Sequence, residues 1–237
     1  MISSSKQFVQ AAFIAGLLAG CAAVAATPAA APAAAAPAPA IDASGPSQLI
    51  ESSAKVLLTG IEKGRAEFRK DPTGLYALVE QNLLPNFDTP YAAQQVLGMN
   101  WRSATPDQRK RFVDAFYKSL LYTYGDQMID FSADRLRVLP TKVDAADTRA
   151  TVRTFIKRSN GTELAVDYSM RKVNGAWKAW DVVIDNISYV LSYRQDYGSA
   201  VEQKGLETVI KELEARAANA RAGKGAKGAK ADKPKPT

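Results

Sequence analysis

Between Pro46 and Tyr124 apolar residues return at every third or fourth position. Leu49, Ile50, Val56, Leu57, Ile61 and Phe68 form the first such series, with Lys55, Glu62, Lys63 and Glu67 mostly opposite, so 47–69 reads as one long amphipathic helix. Gly60 and Gly64 inside it are each about 1 kcal/mol poorer than alanine in a helix. Four apart, they suit close packing or a bend, and a helix split in two is the second reading. After Asp71-Pro72, Leu75, Leu78, Val79, Leu83 and Leu84 mark a further helix that Pro85 ends. Thr89-Pro90 opens a shorter one, stopped by Gly98 before Trp101-Arg102. The best-signposted helix follows. Thr105 is its N-cap, Pro106 its first residue, and Gln108 completes a capping box. Phe112, Val113, Phe116, Leu120, Leu121 and Tyr124 make one broad apolar face, with Arg109, Lys110, Asp114 and Lys118 on the other side.

After Phe131 the period becomes two. Arg135–Leu139 is a short strand. Over Thr148–Arg158, Ala150, Val152, Thr154 and Ile156 alternate with Arg149, Thr151, Arg153, Phe155 and Lys157. Over Thr162–Lys172, Leu164, Val166, Tyr168 and Met170 alternate with Glu163, Ala165, Asp167, Ser169 and Arg171. Ser159-Asn160-Gly161 and Asn174-Gly175 are hairpin signals, and Ala176–Asp185 is the last strand. The pattern predicts an antiparallel meander of three or four strands with one dry face. Helical spacing then returns, with Val190, Leu191, Tyr193 and Tyr197 in one piece and Leu206, Val209, Ile210 and Leu213 in a second. The expected fold is α+β: a helical N-terminal half and C-terminal helices packed on one side of an antiparallel sheet of about four strands.

Both ends fall outside this pattern. Residues 1–26 read as a signal peptide, with Lys6 before an apolar core from Phe8 to Ala19 that is too short to span a membrane. Ala23-Val24-Ala25 suits ordinary release, whereas Leu18-Ala19-Gly20-Cys21 resembles a lipobox in which Cys21, the single cysteine, would be acylated. Either route leads to a bacterial envelope, and no disulfide can form. Residues 27–45 are an Ala/Pro-rich linker, 46–219 the folded domain, and 220–237 a Lys-rich tail expected to be disordered. The net charge of +7 belongs largely to that tail, since residues from Arg221 onward carry +5 and Lys6 adds one, leaving about +1 for 41–220. The basic balance is therefore no argument for nucleic acid; an anionic lipid surface is the tail's sharper reading, a solubilising end its plainer one.

Catalysis finds little support. There is no histidine, which removes the usual general base and any histidine metal site, and no cofactor is expected. Asp181 and Asp185, four apart on a strand, with Asp167 as a third candidate, are the one carboxylate set that could work as a pair, though strand carboxylates more often face water or hold a turn. Gly161 and Gly175 are isolated turn glycines rather than a phosphate loop. The expectation is a protein that is not an enzyme.

LLPNFDTPYAAQQVLGMNWRSATPDQRKRFVDAFYKSLLYTY, then WKAWDVVIDNISYVLSYRQDY and KGLETVIKEL, resemble the MlaC family of periplasmic phospholipid-binding proteins, also called toluene tolerance or auxiliary transport proteins. The resemblance spans about 47–214, on Leu97-Gly98, Trp101-Arg102, the Gln108, Phe112 and Phe116 helix, Trp177-Lys178, Asp181-Val182, Ile187-Ser188 and Tyr193-Arg194. It implies a carrier that moves phospholipid between the outer and inner membranes and so maintains outer-membrane lipid asymmetry, with a curved sheet, a hydrophobic pocket between sheet and helices that takes the acyl chains, and the headgroup outside. It also implies an outer-membrane lipoprotein complex and an inner-membrane ABC transporter ring protein as partners. A shuttle must leave membranes, which favours release into the periplasm over anchoring through Cys21. On this resemblance Phe112, Phe116, Leu120, Tyr124, Val152, Ile156, Leu164, Val166, Tyr168, Val182 and Ile184 are the expected acyl-chain lining. Periodicity alone reads the same residues as a filled core, in which case the protein is a non-transporting envelope adaptor. Arg102, Arg153 and Arg194 are candidates for headgroup or partner contact, since guanidinium suits phosphate, against the plainer reading of solvated surface charge.

Overall fold

The computed structural model describes residues 40–130, 135–157 and 161–221. The signal peptide, Cys21, most of the Ala/Pro linker, nearly all of the Lys-rich tail, Phe131 and the Ser159-Asn160 part of the first hairpin turn lie outside the described residues.

Helix α1 runs unbroken over Pro46–Phe68. Its two glycines do not split it. A Cβ at Gly60 would stand 2.7 Å from a Leu78 methyl of α2 (Thr73–Asn82), so the bare backbone is what lets the two helices approach. Helix α2 stops two residues short of the expected end at Leu84, and Leu84–Asn86 forms a 3-10 turn around Pro85. Asp88, rather than Thr89, caps α3 (Thr89–Leu97): its carboxylate accepts the Tyr91 amide at 3.2 Å. Gly98, at φ +55°, ends α3, and the four-residue α4 (Asn100–Ser103) follows. Helix α5 covers Pro106–Met128, a turn longer than its apolar stripe predicts. The capping box is present in full: Gln108 donates its amide to Thr105 Oγ1 and accepts the Thr105 amide on Oε1, both at 3.1 Å.

The sheet is a simple antiparallel meander in the order β1 (Leu136–Val138), β2 (Arg149–Lys157), β3 (Glu163–Val173), β4 (Ala176–Ile184), β5 (Ile187–Ser188). It has five strands where about four were expected. The fifth is a two-residue edge created when Asp185 and Asn186, at φ +47° and +66°, turn the chain back on itself. Asn174-Gly175 makes the hairpin between β3 and β4 in the same left-handed conformation. Between the Ser169–Asp181 and Met170–Ala179 pairs, β4 carries one extra residue, Trp180. This bulge bends the strand and shifts its alternation by one. Trp177 and Ala179 consequently share a face with Val182 and Ile184, which strict alternation would place on the opposite side.

After β5 the chain forms α6 (Tyr189–Lys204) and α7 (Leu206–Arg221). Helix α7 lies along α5 and α6 along α3. Arg111 of α5 ties this bundle on its outer side, donating to Glu207 at 2.9 Å and twice to Glu214 at 2.8 Å.

Candidate functional site

The hydrophobic interior is divided. One cluster is purely helical: Ala92, Ala93, Val96 and Leu97 of α3 meet Phe112 and Phe116 of α5, Val190 and Tyr193 of α6, and Val209, Ile210 and Leu213 of α7. A second joins Leu57, Leu58 and Ile61 of α1 to Leu75, Tyr76 and Val79 of α2 and to Leu121. In the third, Leu49 and Ile50 at the start of α1 sit on Val152, Met170, Trp177 and Ala179 of the sheet. A domain of this size ordinarily builds one contiguous core. Here three clusters are distinct, and half-buried residues join them at their margins: Trp180 of β4 beside the bundle and Leu136 of β1 beside the α1–α2 pair.

The expected lining residues divide accordingly. Phe112 and Phe116 face the bundle, not the sheet. Their rings stack at 5.6 Å, Tyr193 and Tyr197 meet Phe116 edge-on, and both phenylalanines are buried. Val152 and Val166 are also fully enclosed. Leu120, Tyr124, Ile156, Leu164, Tyr168, Val182 and Ile184 are half-buried and keep accessible surface. In the sheet these half-buried residues are cross-strand partners: Tyr168 pairs with Val182, Ile156 with Leu164, and Ile184 with Val166.

Two tyrosines indicate what lies beside them. Tyr168 keeps accessible surface, yet burial pushes its hydroxyl up to about 12. Tyr117 of α5 is likewise half-buried, and its hydroxyl is raised first by burial and then by the nearby Asp88 charge. Both tyrosines thus combine a desolvated hydroxyl with residual accessible surface. Tyr117 also lines a groove of about 330 Å³ between α5 and the α2–α3 connection, together with Leu84, Pro85, Thr89, Val113 and Leu121, with Glu80, Asp114 and Lys118 on its rim. The groove therefore uses positions 113, 117 and 121 of α5, the stripe next to the expected 112, 116, 120 and 124. Tyr117 was passed over because the two stripes are both apolar, and only the neighbours of α5 decide which of them meets the bundle.

Beside the groove a polar latch joins helix to sheet. Asp88 receives Arg171 of β3 at 2.7 Å, and the Arg171 guanidinium lies 4.1 Å from the centre of the Tyr91 ring, which in turn meets Trp180 edge-on. The arginines proposed for headgroup contact are all exposed, and they are not one group. Arg153 is on β2 opposite Asp167, while Arg102 is on α4 and Arg194 reaches from α6 to the backbone of Gly98.

The candidate carboxylate pair does not assemble. Asp185 is in the left-handed turn beyond β4, where the strand has ended, and Asp181, still within β4, holds the start of α6. It accepts the Ser188 hydroxyl at 2.6 Å and the Val190 amide at 3.0 Å. Burial raises its pKa above the ordinary 3.8, against hydrogen bonds from Ser188, Val190, Val182 and Tyr189 that pull it down. A raised carboxylate pKa means the native state binds this proton more tightly than the unfolded chain does. The stability it contributes is then full below the ordinary pKa and lost as pH rises through the raised one. Asp181→Asn, which cannot titrate, will gain on the wild type as pH rises from 4 to 7, and urea midpoints at the two ends of that range measure the change.

The sequence profile described as MlaC protein matches residues 51–215. The toluene tolerance protein ttg2D of Pseudomonas putida is 24% identical over 166 residues, which cover 70% of this chain and 77% of that protein. The intermembrane phospholipid transport system binding protein MlaC of Haemophilus influenzae is 24% identical over 178 residues, covering 74% and 83%. A phospholipid-binding protein from Ralstonia solanacearum, solved in complex with a phospholipid, matches with a TM-score of 0.59 at 24% identity, over 72% of this chain and 97% of that one. At that identity the structural likeness establishes a shared α+β fold.

Proposed function

The chain belongs to the MlaC family, and from that membership we propose that it is a periplasmic phospholipid carrier, taking lipid by its acyl chains without making or breaking a covalent bond. The observation that carries this reading is the divided interior, with half-buried apolar side chains on the strands and on α5. The energetic demand is large. A buried methylene is worth about 0.8 kcal/mol, so two chains of about sixteen carbons would lose on the order of 25 kcal/mol if left in water. No rim of polar contacts offsets that, and a carrier must enclose the chains.

On this reading the acyl chains lie against Ile156, Leu164, Tyr168, Val182 and Ile184, the groove at Val113, Tyr117 and Leu121 is where they enter, and Leu120 and Tyr124, on the bundle stripe of α5, back the wall. A volume of about 330 Å³ is at the small end of ligand pockets, which run from about 300 to 1,000 Å³. Loading therefore parts the α5 side from the sheet. Phe112, Phe116, Val152 and Val166 support the wall from behind. The carrier works between the outer and inner membranes, with an outer-membrane lipoprotein complex and an inner-membrane ABC transporter ring protein as its partners. Residues 1–26 act as the export signal and 27–45 as the linker to the folded domain. Among the described residues no helix is long and apolar enough to cross a membrane.

Lipid extraction and native mass spectrometry of protein purified from an envelope fraction test the reading. The expected result is phospholipid bound in stoichiometric amount and transferred to acceptor vesicles. Protein free of lipid that takes up none from vesicles would overturn it.

A further inference from the structure

Two large apolar side chains stand out in solvent close together. Met99, between α3 and α4, is 83% exposed, and Leu191, in the first turn of α6, is 61% exposed. Each has an exposed arginine three residues further along its own helical turn: Arg102 follows Met99, with the Arg102 amide bonded to the Met99 carbonyl at 3.1 Å, and Arg194 follows Leu191. The two halves meet through Arg194, whose guanidinium lies so close over Gly98 that a Cβ there would be 3.0 Å from it. Among the described residues neither arginine makes an ion pair.

The platform is rigid. Arg109 of α5 donates to the Trp101 carbonyl at 2.9 Å and to the Arg102 carbonyl at 3.2 Å while lying 5.3 Å from the Trp101 ring, which pins α4 in place. Helix α6 is anchored at its start by Asp181 and Ser188. Helical propensity accounts for neither Met99 nor Leu191 facing water, and burial against this chain does not use them.

We propose that Met99, Leu191, Arg102 and Arg194 form a docking patch for the surface of an anionic phospholipid bilayer. The chemistry of the occupant follows from the pairing. Each protruding hydrophobe enters the acyl boundary of the leaflet, and the arginine beside it remains at the depth of the phosphates, as amphipathic surface anchors do. Two guanidinium groups that make no ion pair among the described residues select a negatively charged surface. Two side chains bind weakly, which suits a protein that must leave the membrane again. The inference rests on the carrier reading only in naming a bilayer as the surface met.

Sedimentation with vesicles of phosphatidylglycerol and phosphatidylcholine tests it, using the purified protein with its Lys-rich tail present in every variant. Met99→Asp with Leu191→Asp is expected to lower partition roughly tenfold at low and high salt alike. Arg102→Glu with Arg194→Glu is expected to lower it roughly tenfold at low salt and little at high salt. The milder Met99→Ser with Leu191→Ser gives the same direction, and unchanged thermal unfolding shows that the fold is kept. Partition equal to wild type in the two double variants overturns the patch, and so does wild-type protein that prefers neutral vesicles. Lipid bound to the purified variants is expected to match the wild type. Wild-type protein that lacks lipid fails the carrier reading, whatever the vesicles show.

Discussion

Val182→Trp will strip the protein of phospholipid and leave it folded. Val182 is half-buried on β4, paired with Tyr168 across the sheet and brought onto that face by the Trp180 bulge. If the space beside it holds acyl chain, the indole takes the place of hydrocarbon. Each displaced methylene forfeits about 0.8 kcal/mol, so three cost about 2.4 kcal/mol, roughly fiftyfold in affinity. A packed interior responds differently. Forcing extra ring atoms into it strains rotamers and backbone by about 1–3 kcal/mol. Native mass spectrometry and urea denaturation of the same preparation separate the two cases. Lipid lost with stability retained supports a hollow centre, whereas stability lost with no change in lipid content supports a filled one. Ile184→Trp, half-buried one pair further along β4, repeats the test at an independent position.

Phe112→Ala will have the opposite signature. Phe112 is fully buried, stacked 5.6 Å from Phe116 and edge-on to Tyr197 at 5.7 Å, where α5 meets α3, α6 and α7. Removing it leaves a cavity between four helices that cannot all close in, at a loss of about 3–5 kcal/mol. That is a large fraction of the 5–15 kcal/mol typical of a native domain. The urea midpoint should fall sharply, and lipid binding should fall only in step with the folded fraction. A Phe112→Ala protein of nearly wild-type stability that binds no lipid would instead put this ring on the ligand.

The contrast between the two substitutions follows what could be read from the chain. The start of α5 was legible because Thr105, Pro106 and Gln108 fix it through hydrogen bonds that need no distant partner, whereas its end lies a turn beyond the apolar stripe. The alternation of β2 and β3 was legible for the same reason: a period of two is a property of the extended backbone. Legibility failed where a partner decides. Asp88 caps α3 while binding Arg171, a residue 83 positions away. The bulge at Trp180 reassigns the faces of β4, and the left-handed turn at Asp185 leaves the suspected carboxylate pair as one buried helix cap and one turn residue. Asp185-Asn186 carried a turn signal, two side chains tolerant of left-handed backbone, and it passed unnoticed behind the stronger Asn-Gly.

Element type, order and approximate extent were determined by the sequence alone, together with the fold class they imply and the family resemblance carried by the ordered blocks of residues 47–214. These depend on local hydrogen bonding and on spacing, which every stretch of chain expresses by itself. The tertiary structure decided which apolar stripe of α5 meets the helical bundle and which borders the groove, and it left Met99 and Leu191 in water. Burial is a relation between distant segments. Two stripes one residue apart on the same helix are equally apolar, and only the packing of α3, α6 and α7 around Phe112 distinguishes the packed stripe from the one that borders the groove.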